Sequence, residues 1–120
     1  MNFKDYQKKA IITALYPKKY KIIYPALGLG DEAGEVLGKI KKWLRGDDGK
    51  EKLSQERRES IADEMGDVLW YLAALSCDLD VSLDDIAKNN LKKLKSRRER
   101  GVLHGNGDKR WYEKRNRTNN

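Results

Sequence analysis

At 120 residues the chain has room for one domain with a core, and with apolar and charged residues at 38% each it reads as a soluble protein. No run approaches the ~20 apolar residues of a membrane span, Met1-Asn2-Phe3-Lys4-Asp5 does not open a signal peptide, and a lone cysteine excludes an internal disulfide, so a cytoplasmic protein is expected. The net charge of +7 is uneven: residues 88–120 hold twelve Lys/Arg against three acids and residues 1–87 fourteen against sixteen, which points to a polyanion, either nucleic acid or the phosphates of a small ligand.

A first helix is predicted from Phe3 to Leu15, where Phe3, Tyr6, Ala10, Ile11, Ala14 and Leu15 fall at helical spacing before Pro17 ends it. Tyr16 to Pro25 reads as a connector. A second helix is expected from Ala26 to Leu44, with Leu29, Ala33, Val36, Leu37, Ile40 and Leu44 on its apolar arc; Gly46-Asp47-Asp48-Gly49 breaks it. A third should span Ser54 to Leu79. Ile61, Met65, Val68, Leu69, Leu72, Leu75 and Leu79 form its main arc while Trp70, Ala73, Ala74 and Cys77 fill the opposite side, so this helix is expected to be central and buried beyond its first turns. A fourth helix starts at Ser82, whose partner Asp85 makes a capping box, and carries Ile86, Ala87, Leu91 and Leu94 on its core face. After Gly101 the pattern fades into a polar, basic end. No strand pattern competes, so the expectation is an all-α, four-helix bundle-like single domain.

Thirty-two residues apart the chain writes nearly the same heptad twice, Asp31-Glu32-Ala33-Gly34-Glu35-Val36-Leu37 and Asp63-Glu64-Met65-Gly66-Asp67-Val68-Leu69. Each copy sets two acids at i, i+3, on one face of a helix at about 100° per residue, with a glycine between them that leaves room for close helix approach. Both pairs hold the same phase relative to their apolar arcs. In the third helix the acidic line runs on into Tyr71 and Ala74, which is no water-facing stripe, so Glu64 and Asp67 are expected to look inward or into a cleft. Surface decoration explains one such pair but not an in-phase duplicate. Four carboxylates brought together repel and need a cation. Without nearby His or Cys that cation is a hard one, Mg²⁺ or Mn²⁺, which also grips phosphates and activates water. His104 stands alone among glycines and reads as solvent-exposed, and Cys77 as an inert core thiol.

Positive charge for phosphates is available on the fourth helix, where Asn90, Lys93 and Arg97 line the edge of the core face. Snorkelling at a helix end is the plain alternative. A Nudix-type phosphohydrolase fails on spacing, since Met65 stands where glycine is required seven residues after Arg58. From another class, a nucleic-acid-binding helical module using the basic C-terminal region is the rival reading.

Asp31-Glu32-Ala33-Gly34-Glu35 with Glu64-Met65-Gly66-Asp67 resembles the E-E-x-x-E and E-x-x-D signature of the MazG-like nucleoside triphosphate pyrophosphohydrolases, in the all-α NTP pyrophosphatase superfamily, with Asp31 in place of the first Glu. The flanks Tyr24 to Leu29, Lys39 to Lys42, Gly66 to Leu72 and Asn90 to Arg97 are similar too, and Arg100-Gly101-Val102 with Gly105 to Arg110 resembles the small single-domain members of phages and bacteria. The resemblance implies a family domain over residues 1–104 with a basic tail over 105–120, and hydrolysis of an NTP or dNTP between the α and β phosphates to a nucleoside monophosphate and pyrophosphate. By position it implies Glu32, Glu35, Glu64 and Asp67 as metal ligands, with Asp31 assisting catalysis. It makes Lys39, Lys42, Asn90, Lys93 and Arg97 phosphate contacts and Tyr71 a lining of the nucleotide pocket, while Trp43 and Trp70 are left between base stacking and core packing. It also implies a homodimer or homotetramer, no membrane partner, and, for a phage-borne chain, action in the host cytoplasm.

Overall fold

The structure, a computed structural model, describes residues 1–49 and 52–104. It is all-α: α1 spans Phe3–Ala10, α2 Ile23–Leu44, α3 Gln55–Asp78 and α4 Leu83–Arg100, with short 3₁₀ turns at Ile11–Thr13 and Lys18–Tyr20 and no strand among the described residues. Among the described residues no helix is long and apolar enough to cross a membrane. The chain divides into two compact units, Met1–Leu83 and Asp84–Asn120. The expected tail, 105–120, lies outside the described residues.

The boundaries differ from expectation where side chains outside a helix capture its backbone. Regular helix α1 stops at Ala10 rather than Leu15, in front of the β-branched run Ile11-Ile12-Thr13 that a helix tolerates poorly. The Thr13 hydroxyl turns back onto the Ala10 carbonyl (2.7 Å) and accepts the indole N–H of Trp70 (2.7 Å), which commits this indole to holding α3 to the chain after α1. Gln7 makes a second tie. Its amide donates to Cys77 Sγ (3.3 Å) and the Val81 carbonyl (3.1 Å) and accepts from the Leu83 N–H (2.9 Å).

Helix α2 begins three residues early, at Ile23, and takes buried Pro25 into its first turn, where the missing N–H removes no helical bond. The residue before it, Ile22, has φ +71°, a costly conformation for a β-branched side chain. Asp78, at the end of α3, compensates: its Oδ2 accepts both the Ile22 N–H (2.9 Å) and the Tyr16 hydroxyl (2.7 Å). Burial and then that bond push the Tyr16 phenol well above its ordinary pKa.

The predicted break after Leu44 is present. Gly46, at φ +89°, donates to the Trp43 carbonyl (3.0 Å) while Asp47 donates to Lys42 (3.1 Å), a Schellman closure of α2. Ser54 caps α3 by accepting the Arg57 N–H (3.1 Å), and the Arg57 guanidinium grips Asp48 (2.7 Å) across the turn, holding the Asp48 carboxyl below its usual range. Helix α4 starts immediately after Ser82, as expected, and closes with Val102 N–H on the Arg97 carbonyl (2.8 Å).

The expectation that α3 is buried on both sides is corrected. Ala73, Ala74 and Ser76 are buried, but Met65 is 58%, Leu72 37% and Leu79 50% exposed. On α2, Leu37 and Leu44 are exposed, and on α4 so are Ile86, Leu91 and Leu94 of the predicted core face. A helix apolar on two sides needs covering on both; α2 and the chain around Gln7 and Thr13 pack on α3, and the arc at Met65, Leu72 and Leu79 is left open.

Candidate active site

Helices α2 and α3 run antiparallel along one seam. Gly28 meets Tyr71, Glu32 meets Asp67, and Lys39 meets Ser60, in pairs whose numbers share one sum, so a single register holds throughout. A Cβ on Gly28 would fall inside the Tyr71 ring, which therefore lies against the bare α2 backbone. This is the close approach that the sequence reading placed at Gly34 and Gly66; both of those instead face open space. Added methyls there would meet nothing.

In the middle of the seam a carboxylate oxygen from each of Glu32, Glu64 and Asp67 lies within 4.8 Å of the others, with Glu32 and Glu64 half-buried and Asp67 exposed. The in-phase repeat thus does place acids of the two helices face to face. Glu32 takes the electrostatic consequence. Its pKa is raised, first by burial and then by the charges of Asp67, Glu64 and Asp31, with a hydrogen bond to Glu64 adding to the shift. Three convergent carboxylates with no nitrogen or sulfur donor form a set suited to a hard divalent cation.

Other predicted site residues surround this cluster unequally. Glu35 is exposed and is not in the cluster, and Asp31 is exposed one residue before Glu32, near enough to act on it electrostatically. Lys39 is engaged: its Nζ pairs with Glu64 Oε1 (3.0 Å) and donates to Ser60 Oγ (2.6 Å). Exposed Lys42 lies at the end of α2. Tyr71 adjoins the acids, and burial, a hydrogen bond with Tyr24 and the charges of Glu32 and Asp31 raise its phenol pKa. It begins an aromatic row, with Tyr24 at 6.4 Å and Tyr16 stacked on Tyr24 at 4.8 Å; Trp70 meets it edge-on at 4.9 Å.

On α4, Asn90 and Lys93 are exposed, whereas Arg97 is only 6% exposed and its Nε has no hydrogen-bond partner among the described residues. His104 is exposed, as expected, whereas Cys77, expected in the core, is half-buried and accepts the Gln7 amide N–H.

Sequence reasoning missed Ser60 and Tyr6, the latter close enough to Asp67 for its charge to add to the burial that raises the phenol pKa. Ser60 had a visible signal, lying four residues before Glu64 on the acidic face. Tyr6 had none, because the angle at which α1 crosses α3 is not written in either helix.

Comparison with known proteins agrees with this geometry. The MazG nucleotide pyrophosphohydrolase domain model matches residues 25–102, spanning both acidic pairs and α4. The Gene 37 protein of Mycobacterium phage L5 is 43% identical over 116 residues, covering 92% of this chain and all of the phage protein. The uncharacterized protein YvdC of Bacillus subtilis (strain 168) is 35% identical over 74 residues, 59% of this chain and 70% of that protein. No solved structure matches the chain significantly. The nucleic-acid-binding module is not favoured by these likenesses. An all-α chain whose duplicated acids meet across one helical seam, and whose sequence fits that domain model over most of its length, belongs to the MazG nucleotide pyrophosphohydrolase domain family.

Proposed function

We propose that this protein is a Mg²⁺-dependent hydrolase, able to use Mn²⁺, that adds water across the Pα–O–Pβ bridge of an NTP or dNTP to release a nucleoside monophosphate and pyrophosphate. The observation that carries the reading is the convergence of Glu32, Glu64 and Asp67 within 4.8 Å. When bound, the cation supplies charge for the phosphates and an acidified water. Glu32, Glu64 and Asp67 would hold it, with Glu35 as a fourth ligand, and Asp31 would assist by positioning water. Lys39 and Lys42 are phosphate contacts by charge; Asn90, Lys93 and Arg97, in the second unit, are further candidate phosphate contacts, the amide by hydrogen bonding and the two cations by charge. A buried guanidinium with an open Nε favours an anion, and Arg97 meets that description. Tyr71 borders the nucleoside.

A homodimer or homotetramer is part of the proposal. Its support is an open groove of about 610 Å³ on the first unit, lined by Phe3, Ala33, Val36, Met65, Val68 and Leu72, which a second copy would cover.

The test is incubation with a panel of NTPs and dNTPs, with and without Mg²⁺, and detection of pyrophosphate. Metal-dependent release that disappears in Glu64→Gln is the expected result. No release across the whole panel, together with tight salt-sensitive oligonucleotide binding, overturns the proposal in favour of the nucleic-acid reading.

A further inference from the structure

One hydroxyl on the α2–α3 seam has no part in the roles above. Ser60 stands one turn before Glu64 on α3, so both side chains share the face turned to α2. Lys39 reaches across to both, donating to Ser60 Oγ at 2.6 Å and pairing with Glu64 Oε1 at 3.0 Å. The Lys39 side chain is only 22% exposed.

The two partners differ in kind. Glu64 is shared, because its carboxylate also faces Glu32 and Asp67, and a cation held by those acids would compete with the ammonium for it. Ser60 is neutral and lies outside the acidic group, so its bond to Lys39 survives that competition. A lysine ammonium on a flexible four-carbon stem, given one shared partner, would wander among rotamers; an unshared acceptor makes it a fixed charge. That charge stands at one end of the cluster, with the aromatic row from Tyr71 at the other.

We propose that Ser60 is a positioning residue: it holds the Lys39 ammonium at the rim of the acidic cluster, where the ammonium meets the phosphate chain of a nucleoside triphosphate. The inference rests on the functional reading above. Ser60 touches neither the substrate nor the reacting atoms and acts only through Lys39.

That dependence is measurable. Ser60→Ala, a substitution that favours helix, raises KM and the Kd of a non-hydrolysable α,β-imido nucleotide about tenfold, as loss of an outer-sphere partner does. Ser60→Thr, which keeps the hydroxyl, restores both. In a Lys39→Met background Ser60→Ala changes neither, because the residue it acts through is gone. Calorimetry without nucleotide finds Mn²⁺ bound several-fold more tightly by Lys39→Met than by the native chain, since Glu64 has lost a competitor. Native-like kinetics in Ser60→Ala, or effects of the two substitutions that simply add, overturn the positioning role while leaving the hydrolase reading intact. A native protein that neither binds Mn²⁺ nor releases pyrophosphate overturns both.

Discussion

Single residues on the α2–α3 seam trade stability for a site. Glu32 is the clearest case, because its carboxyl is less willing to ionise in the folded chain than in the unfolded one. A carboxyl with a raised pKa favours the fold at pH below its unfolded value, near 4.5, and that contribution is lost as pH rises through the folded value. At pH 7 without metal the ionised Glu32 carboxylate is therefore a net cost. Glu32→Gln should melt at a higher temperature than the native chain in chelator at pH 7, and the difference should shrink as the pH is lowered towards 4. Adding Mg²⁺ should raise the melting temperature of the native chain and not that of the variant; equal responses would contradict the ligand role of Glu32. Gly28 makes a different kind of concession. A methyl there has nowhere to go except into the Tyr71 ring, so Gly28→Ala should destabilise by about 1–3 kcal/mol, the usual cost of overpacking. Combining it with Tyr71→Ala should recover much of that loss in a denaturant titration.

At the scale of elements, helix ends are decided by what reaches them from elsewhere in the chain. Periodicity continues α1 through Leu15, yet the Thr13 hydroxyl, shared between the Ala10 carbonyl and the Trp70 indole, ends the regular helix sooner. The early start of α2 depends on one carboxylate at the far end of α3. Asp78 holds the Ile22 amide in its left-handed conformation and anchors Tyr16, whose ring stacks on Tyr24 in the first turn of α2. Asp78→Ala should cost about 1.5–3 kcal/mol per hydrogen bond to the lost charge, reduced where water replaces it. Hydrogen exchange should locate the loosening at the amides of Ile22, Ile23 and Ala26, and protection unchanged there would sink the account.

At the scale of the molecule, the first unit has more apolar helix surface than one copy can cover. The groove lined by Phe3, Ala33, Val36, Met65, Val68 and Leu72 lies beside the acidic seam, and water against so much aliphatic surface is unfavourable at about 25 cal/mol per Å². Light scattering should find the native chain as a dimer or tetramer. Leu72→Glu, at a groove position 37% exposed, should shift it to smaller species, as a buried unpaired charge would. A native monomer at micromolar concentration would remove this part of the proposal.

Much of this molecule is legible by reading along the chain. All four helices and the glycine break after Leu44 follow from period and turn residues close in sequence, and the pairing of Glu32 with Glu64 and Asp67 follows from a repeat kept in phase. Other features depend on two helices meeting at one register and angle, and no single segment encodes that. The seam selects Gly28 rather than Gly34 or Gly66 for close approach, leaves Glu35 outside the cluster, and hands the Lys39 ammonium to Ser60 and Glu64. It also leaves the main arc of α3 uncovered, although its pattern is that of a core, because an apolar pattern states that a face must be buried and not which surface will bury it.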